Sequence, residues 1–126
     1  YIICLRQNDQ TIGLIELYER GLDEQSGLLK TKEVGFLLDL AFEGHGYMTE
    51  ALRLILNYAF KKKRQKEIWA GTFVNNEKSQ KLLEKLGFQY VYTVDYSQIS
   101  TLFSYQEKYY LLKQAEWLKI DANMKS

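Results

Sequence analysis

Apolar and polar positions along this chain predict eight regular elements. Tyr1-Ile2-Ile3-Cys4-Leu5 is a short apolar run closed by Gln7-Asn8-Asp9-Gln10, and Thr11 to Tyr18 resumes the apolar character. Two such runs joined by a polar Asn-Asp turn read as a β-hairpin. Residues 20–31, with Gly21, Asp23, Ser26 and Gly27, read as a surface loop. Glu33 to Asp39 is a third strand, in which Gly35 marks either a bulge or the close approach of another backbone. Met48, Ala51, Leu52, Ile55, Tyr58 and Ala59 then recur at helical spacing and form one apolar stripe. Lys61-Lys62-Lys63-Arg64 follow at the helix end, where positive charge complements the dipole.

Glu67 to Val74 is rich in residues that favour sheets. Residues 76–86 form a short helix with Leu82, Leu83 and Leu86 on its apolar side, and Gly87 stands in the position that closes a helix. Phe88, Tyr90, Tyr92, Val94 and Tyr96 alternate with more polar residues and share one strand face. Residues 97–104 read as a loop, Glu107 to Leu112 as the last strand, and 118–126 as a tail. The order β-β-β-α-β-α-β-β implies a mixed sheet, with parallel neighbours across each helix and antiparallel neighbours across each hairpin.

Composition adds bounds. The 126 residues suffice for one domain, assigned to 1–117. With 46% hydrophobic and 26% charged residues, the chain has the balance of a folded globular protein. A net charge of +1 gives no global field toward nucleic acid or an anionic membrane, and neither is expected as a partner. No apolar run approaches the roughly 20 residues of a membrane helix. The single cysteine, Cys4, is expected to be a buried strand residue, and a chain without a possible internal disulfide fits the reducing cytoplasm. Tyr1 has mid-strand character, so residues upstream of it are expected.

Candidate chemistry concentrates in two segments. Phe42-Glu43-Gly44-His45-Gly46-Tyr47-Met48 lies between a strand and a helix. Free amides of a first helical turn and the helix dipole favour an anion there, and glycines let a phosphate approach the backbone. A Gly-x-Gly alone is also an ordinary turn. It is not a P-loop, since no Lys-Ser/Thr follows, and Thr49 stands where a dinucleotide fingerprint needs its third glycine. Asn76 and Ser79, three residues apart, share a face at the start of the second helix. On spacing alone, Asn75 or Asn76 is an N-cap and Ser79 faces solvent.

Taken in register, Glu33 to Asp39, Gly44 to Leu52, Asn76-x-x-Ser79 and Leu83-Glu84-Lys85-Leu86-Gly87-Phe88 closely resemble the GNAT acyltransferase superfamily. Within it they are most similar to the ribosomal-protein alanine/serine N-terminal acetyltransferase branch, whose last strand matches Tyr109-Tyr110-Leu111-Leu112-Lys113. The resemblance implies an α/β (α+β) fold: a mixed, mostly antiparallel sheet with helices on both faces and a splay between two central parallel strands. It also implies that the family's N-terminal strand and helices, one wall of the acceptor groove, are absent from 1–117.

The implied activity is transfer of an acetyl group from acetyl-CoA to a primary amine by direct attack, with no metal. The acceptor would be a protein N-terminus, or alternatively a polyamine, amino sugar or antibiotic; a non-catalytic CoA-binding module is the other alternative. The resemblance implies cofactor contacts at Leu38, Glu43, Gly44, His45, Gly46, Tyr47, Met48 and Asn76. Many members carry a Tyr acid where this chain has Leu83, so Ser79 is the expected partner of the departing thiolate. Glu33 is the first choice for the base and Glu16 the second, while each also reads as a solvated strand carboxylate. Glu43 is a departure, since a carboxylate beside a pyrophosphate is repulsive; it is expected to face solvent and offer only its backbone. His45 is expected to be an exposed loop residue, and Glu50 a structural residue of the first helical turn. The aromatics of the last two strands suit either a homodimer face or an acceptor wall.

Overall fold

The computed structural model describes residues 2–4, 8–19, 32–38, 40–98 and 105–125. The loop expected at 20–31 and residues 99–104 of the second expected loop lie outside them. The elements are β1 (Ile2–Cys4), β2 (Thr11–Glu19), β3 (Lys32–Leu38), a 3-10 turn (Leu40–Phe42), α1 (Tyr47–Asn57), a π-helical turn (Tyr58–Lys62) and β4 (Glu67–Phe73). There follow α2 (Glu77–Lys85), β5 (Gln89–Asp95), a 3-10 turn (Tyr96–Gln98), β6 (Gln106–Lys113) and α3 (Gln114–Lys125). The six strands form one sheet in the order β1-β2-β3-β4-β6-β5. Every pairing is antiparallel except that of β3 with β4.

That parallel pairing is short. It joins Lys32 to Ile68, Glu33 to Trp69 and Val34 to Ala70, and among the described residues goes no further. Beyond it β3 stays paired with β2 as far as Leu38, and β4 stays paired with β6 as far as Phe73. The two central strands therefore part at Gly35 and Gly71. Gly35 sits in regular register with Glu16, so it marks this divergence rather than a bulge.

Val34, Ile68, Ala70, Tyr110 and Leu112 point to one sheet face and join a single core with Leu52 and Leu56 of α1, Phe60, Leu83 and Leu86 of the α2 end, and Trp117 of α3. All three described helices thus cover the same face, where the sequence suggested helices on both. The reason is handedness. The crossovers β3–α1–β4 and β4–α2–β5 advance in the same direction across the sheet, and right-handed crossovers then place both helices on one side.

Four expectations change in detail. The buried stripe of the first helix includes Leu56 and Phe60, both 0% exposed, while Tyr58 is exposed; the π-helical turn at Tyr58–Lys62 alters the phase of the stripe. Residues 114–125 are a helix, not the start of a tail. Trp117 Nε1 donates to Asn57 Oδ1 at 2.9 Å, and Lys61 Nζ meets Asp121 Oδ2 at 2.6 Å, so part of the basic run anchors this helix. Cys4 is exposed, at the end of an edge strand where the β1–β2 register shifts. Tyr90 and Tyr92 do not share a face: the register of β5 shifts between them, pairing Tyr90 with Tyr110 on the helix side and Tyr92 with Tyr109 on the other. Gly87 closes α2 as expected, with φ 102° and its N–H donated to Glu84 O at 3.0 Å.

Candidate active site

Where β3 and β4 part, a groove of about 500 Å3 opens on the helix side. Phe36 forms its floor beside Leu37 at the strand edge, the 43–49 loop and first turn of α1 one wall, and Asn76 at the start of α2 with Ser79 and Leu82 the other. Its shape follows from the chain. The splay leaves the edge of β3 exposed, and α1 and α2 both begin beside it because each follows a strand that ends there.

Gly44 and Gly46 adopt left-handed backbone angles, φ 81° and 77°. At either, an added Cβ would meet no atom within 4 Å, so the loop presents bare backbone to open space. Gly46 is the N-cap of α1 and caps no amide with a side chain. The first intrahelical bond runs from Glu50 N–H to Gly46 O at 3.0 Å. The amides of Tyr47, Met48 and Thr49 precede it, at the positive end of the helix dipole. This is a cradle for an anionic group.

At α2, Asn76 is the N-cap, and its Oδ1 accepts from Ser79 N–H at 3.2 Å. The capping expectation therefore holds, while Ser79 is half-buried and lines the groove instead of facing bulk solvent. Leu83 is fully buried in the core and brings no acid to the groove. Glu43 is half-buried, not turned to solvent: its Oε2 reaches Lys78 Nζ at 3.2 Å, which ties the glycine loop to the first turn of α2. The pair answers the repulsion argument, since Lys78 offsets the carboxylate. His45 is exposed, with its ring 5.4 Å from that of Tyr47. Phe36 and Leu37 line the groove, and the backbone of the next residue, Leu38, pairs with Gly13.

Glu33 lies elsewhere. It pairs with Trp69 one position before the splay, on the sheet face that carries no described helix. That face holds a run of aromatics: Trp69 against Tyr92 (ring centroids 5.9 Å apart), and Tyr92 stacked on Tyr109 (5.2 Å). Tyr96 and Tyr109 share a hydroxyl hydrogen bond of 2.6 Å, and Tyr109 donates to Glu107 Oε2 at 3.1 Å. Burial foremost, then the Tyr96 hydrogen bond and the Glu107 charge, push the Tyr109 hydroxyl far above its usual range, so it stays protonated.

Residues 1–89 match the family model described as "Acetyltransferase (GNAT) domain". The chain belongs to the GNAT acetyltransferase family. It is 40% identical over 86 residues to the probable N-acetyltransferase YjcK of Bacillus subtilis, an alignment covering 68% of this chain and 45% of that protein. It is 33% identical over 76 residues to the putative ribosomal N-acetyltransferase YdaF of the same organism, covering 60% of this chain and 39% of that one. These alignments span less than half the length of the curated relatives. The fold is also that of a mutant form of the spermidine N-acetyltransferase SpeG from Vibrio cholerae: TM-score 0.79 at 20% identity, covering 95% of this chain and 68% of the other.

GNAT acetyltransferases use acetyl-CoA, and the groove suits that molecule on its own geometry. The cradle would take the pyrophosphate, and the exposed β3 edge would pair with the amide-bearing arm. Lys78 and Lys85 add positive charge to the groove lining. Sequence reasoning missed both lysines, along with Thr49 and Leu82. For those on α2 a signal was available: Lys78, Leu82 and Lys85 stand at i, i+4 and i+7, and Leu82 lies one turn from Ser79.

Proposed function

We propose that this chain carries an N-acetyltransferase site that moves an acetyl group from acetyl-CoA to a primary amine by direct attack. The observation that supports this most is the splay itself: a glycine cradle and the Ser79 face of α2 converge on the point where β3 and β4 part. Acetyl-CoA supplies the thioester-activated acetyl group when bound. The chain's residues hold its phosphates at Gly44 to Met48, with Glu43 and His45 flanking, and seat its arm along Phe36 to Leu38. Ser79 Oγ hydrogen-bonds the thiolate as it departs, a safer role for a hydroxyl than full proton donation. Asn76 orients the first turn of α2 around Ser79. Glu33 remains the carboxylate proposed first for the acceptor's proton, with Glu16 second.

For the acceptor we propose a protein N-terminus, supported by the likeness to a putative ribosomal N-acetyltransferase at 33% identity. The likeness to a spermidine acetyltransferase, at 20%, speaks for the fold. Thiol release from acetyl-CoA, measured with peptides beginning in alanine or serine and with spermidine, tests both the activity and the acceptor. CoA binding without turnover of any of these would support a binding module instead.

A further inference from the structure

Gly35 and Gly71 stand across from each other where the parallel pairing ends. By strand alternation both face the side of the sheet without described helices. The missing side chain of Gly71 lets Glu107 and Tyr109 close over β4 where the splay begins, and this is the gap between side chains that matters. What surrounds the gap is specific. The cross-strand partner of Gly35 is Glu16, and that of Gly71 is Tyr109. A Cβ built on Gly71 would lie 2.9 Å from Glu107 Oε1 and 2.9 Å from Tyr109 Cε1. Glu107 thus leans over the gap. Tyr109 holds its other oxygen, Oε2, at 3.1 Å. Trp69, Tyr92 and Tyr109 continue as a wall of aromatic rings beside it.

We propose that Glu107 is a catalytic residue: the carboxylate that binds the acceptor's ammonium group at the Gly35–Gly71 gap and takes its proton. This rests on the acetyl-transfer reading above and assigns the base to β6 in place of Glu33. Three arguments carry it. The helix side of the splay is the cofactor groove, so the acceptor must approach from the opposite side. Glu107 overhangs the gap at Gly71, whereas Glu33 lies one pair back, where β3 and β4 are still joined. An aromatic wall beside a carboxylate is a good environment for an ammonium ion, through cation–π attraction and charge pairing.

The proton step is simple. One N–H bond of the ammonium breaks, its proton passes to Glu107 Oε1, and the nitrogen keeps the electron pair as a neutral amine. The carboxylic acid so formed returns the proton to water. Tyr109, kept protonated by its surroundings, donates to Oε2 throughout and fixes the carboxylate's direction.

The test has two readouts. In CoA-free protein, spermidine and an alanine-starting peptide are titrated against the fluorescence of Trp69, Trp117 being buried on the helix side. Glu107→Gln is expected to weaken binding of the amine by about tenfold or more, the scale of a lost charge pair at a partly buried site. In the acetyl-CoA-loaded protein the same variant is expected to lower kcat by about 10²- to 10⁴-fold, the range for a general base. Its CoA affinity by calorimetry should be unchanged. Gly71→Ala, whose Cβ would displace the Glu107 carboxylate, should reproduce both losses. The proposal is overturned if Glu107→Gln keeps amine binding and turnover within twofold of the parent, or if neither amine perturbs Trp69. Failure of the parent protein to bind CoA would instead sink the cofactor reading and leave the amine titration to stand on its own.

Discussion

The two faces of the sheet are built on opposite principles. On the helix side, Leu56, Phe60, Ile68 and Trp117 are 0% exposed, and the polar contacts serve packing or helix ends. On the other side, Leu37 is 70% exposed and Phe73 49%, and the polar groups are gathered around aromatic rings. Both faces meet at the splay, one bringing an anion cradle and the other a carboxylate. The helix side holds the fold together and, on the reading proposed above, seats the cofactor. The open side carries no described helix, and on that same reading it specifies what reacts.

The largest effect should come from breaking the covered face. Phe60→Ala is expected to cost about 3–5 kcal/mol in denaturant unfolding, whereas Leu37→Ala should stay within about 0.5 kcal/mol. Equal losses at the two positions would erase the distinction between the faces. Next, Ser79→Ala should lower kcat by about tenfold to a hundredfold with little change in CoA affinity, the pattern of a contact made mainly in the transition state. A loss confined to CoA binding would make Ser79 a cofactor ligand only.

The open face should show itself in alkaline stability. Below the ordinary tyrosine pKa of 10.0, Tyr109 is protonated both folded and unfolded and contributes no pH dependence. As pH rises past 10.0 the unfolded chain loses this proton while the folded chain keeps it. Stability therefore falls with pH up to the raised folded value. Tyr109→Phe should flatten that fall; an unchanged slope in urea unfolding measured at rising pH would contradict the assignment. The smallest effect belongs to the groove mouth. The Glu43–Lys78 pair leaves the lysine side chain 86% exposed. Such a pair is worth at most about 1 kcal/mol, so Glu43→Gln should change CoA affinity by no more than about fivefold. A much larger tightening would mean that Glu43 opposes the pyrophosphate directly.

How far this architecture could be read from the residues differs between the faces for the same reason. The covered face follows repeating patterns: Leu82, Leu83 and Leu86 at helical spacing, Gly87 as a stop, Asn76 as a cap. Local chemistry decides those positions, and the structure keeps them. Glycines at 44 and 46 mark the cradle because only that residue type suits a bare left-handed loop. The open face is made by register, which no local pattern encodes. The slip in β5 after Tyr90 turns Tyr92 toward Tyr109, and Glu107 reaches over Gly71 only because β4 and β6 pair in this register. Helix α3 was hidden for a related reason. Its anchors are Trp117 to Asn57 and Asp121 to Lys61, contacts sixty residues apart in the chain that leave no apolar stripe to find.

The central claim is that the Gly44–Met48 cradle and the splay together hold acetyl-CoA. Calorimetric titration of CoA into the parent protein and into Thr49→Asp tests it most directly. A carboxylate in the first turn of a helix favours the dipole and should leave α1 folded, but its charge would oppose a pyrophosphate at the helix start. The account predicts saturable binding by the parent, with a dissociation constant in the range of about 1 μM to 1 mM usual for enzyme substrates, and at least about tenfold weaker binding by the variant. Absence of binding by the parent, or equal affinity in both proteins, would contradict it.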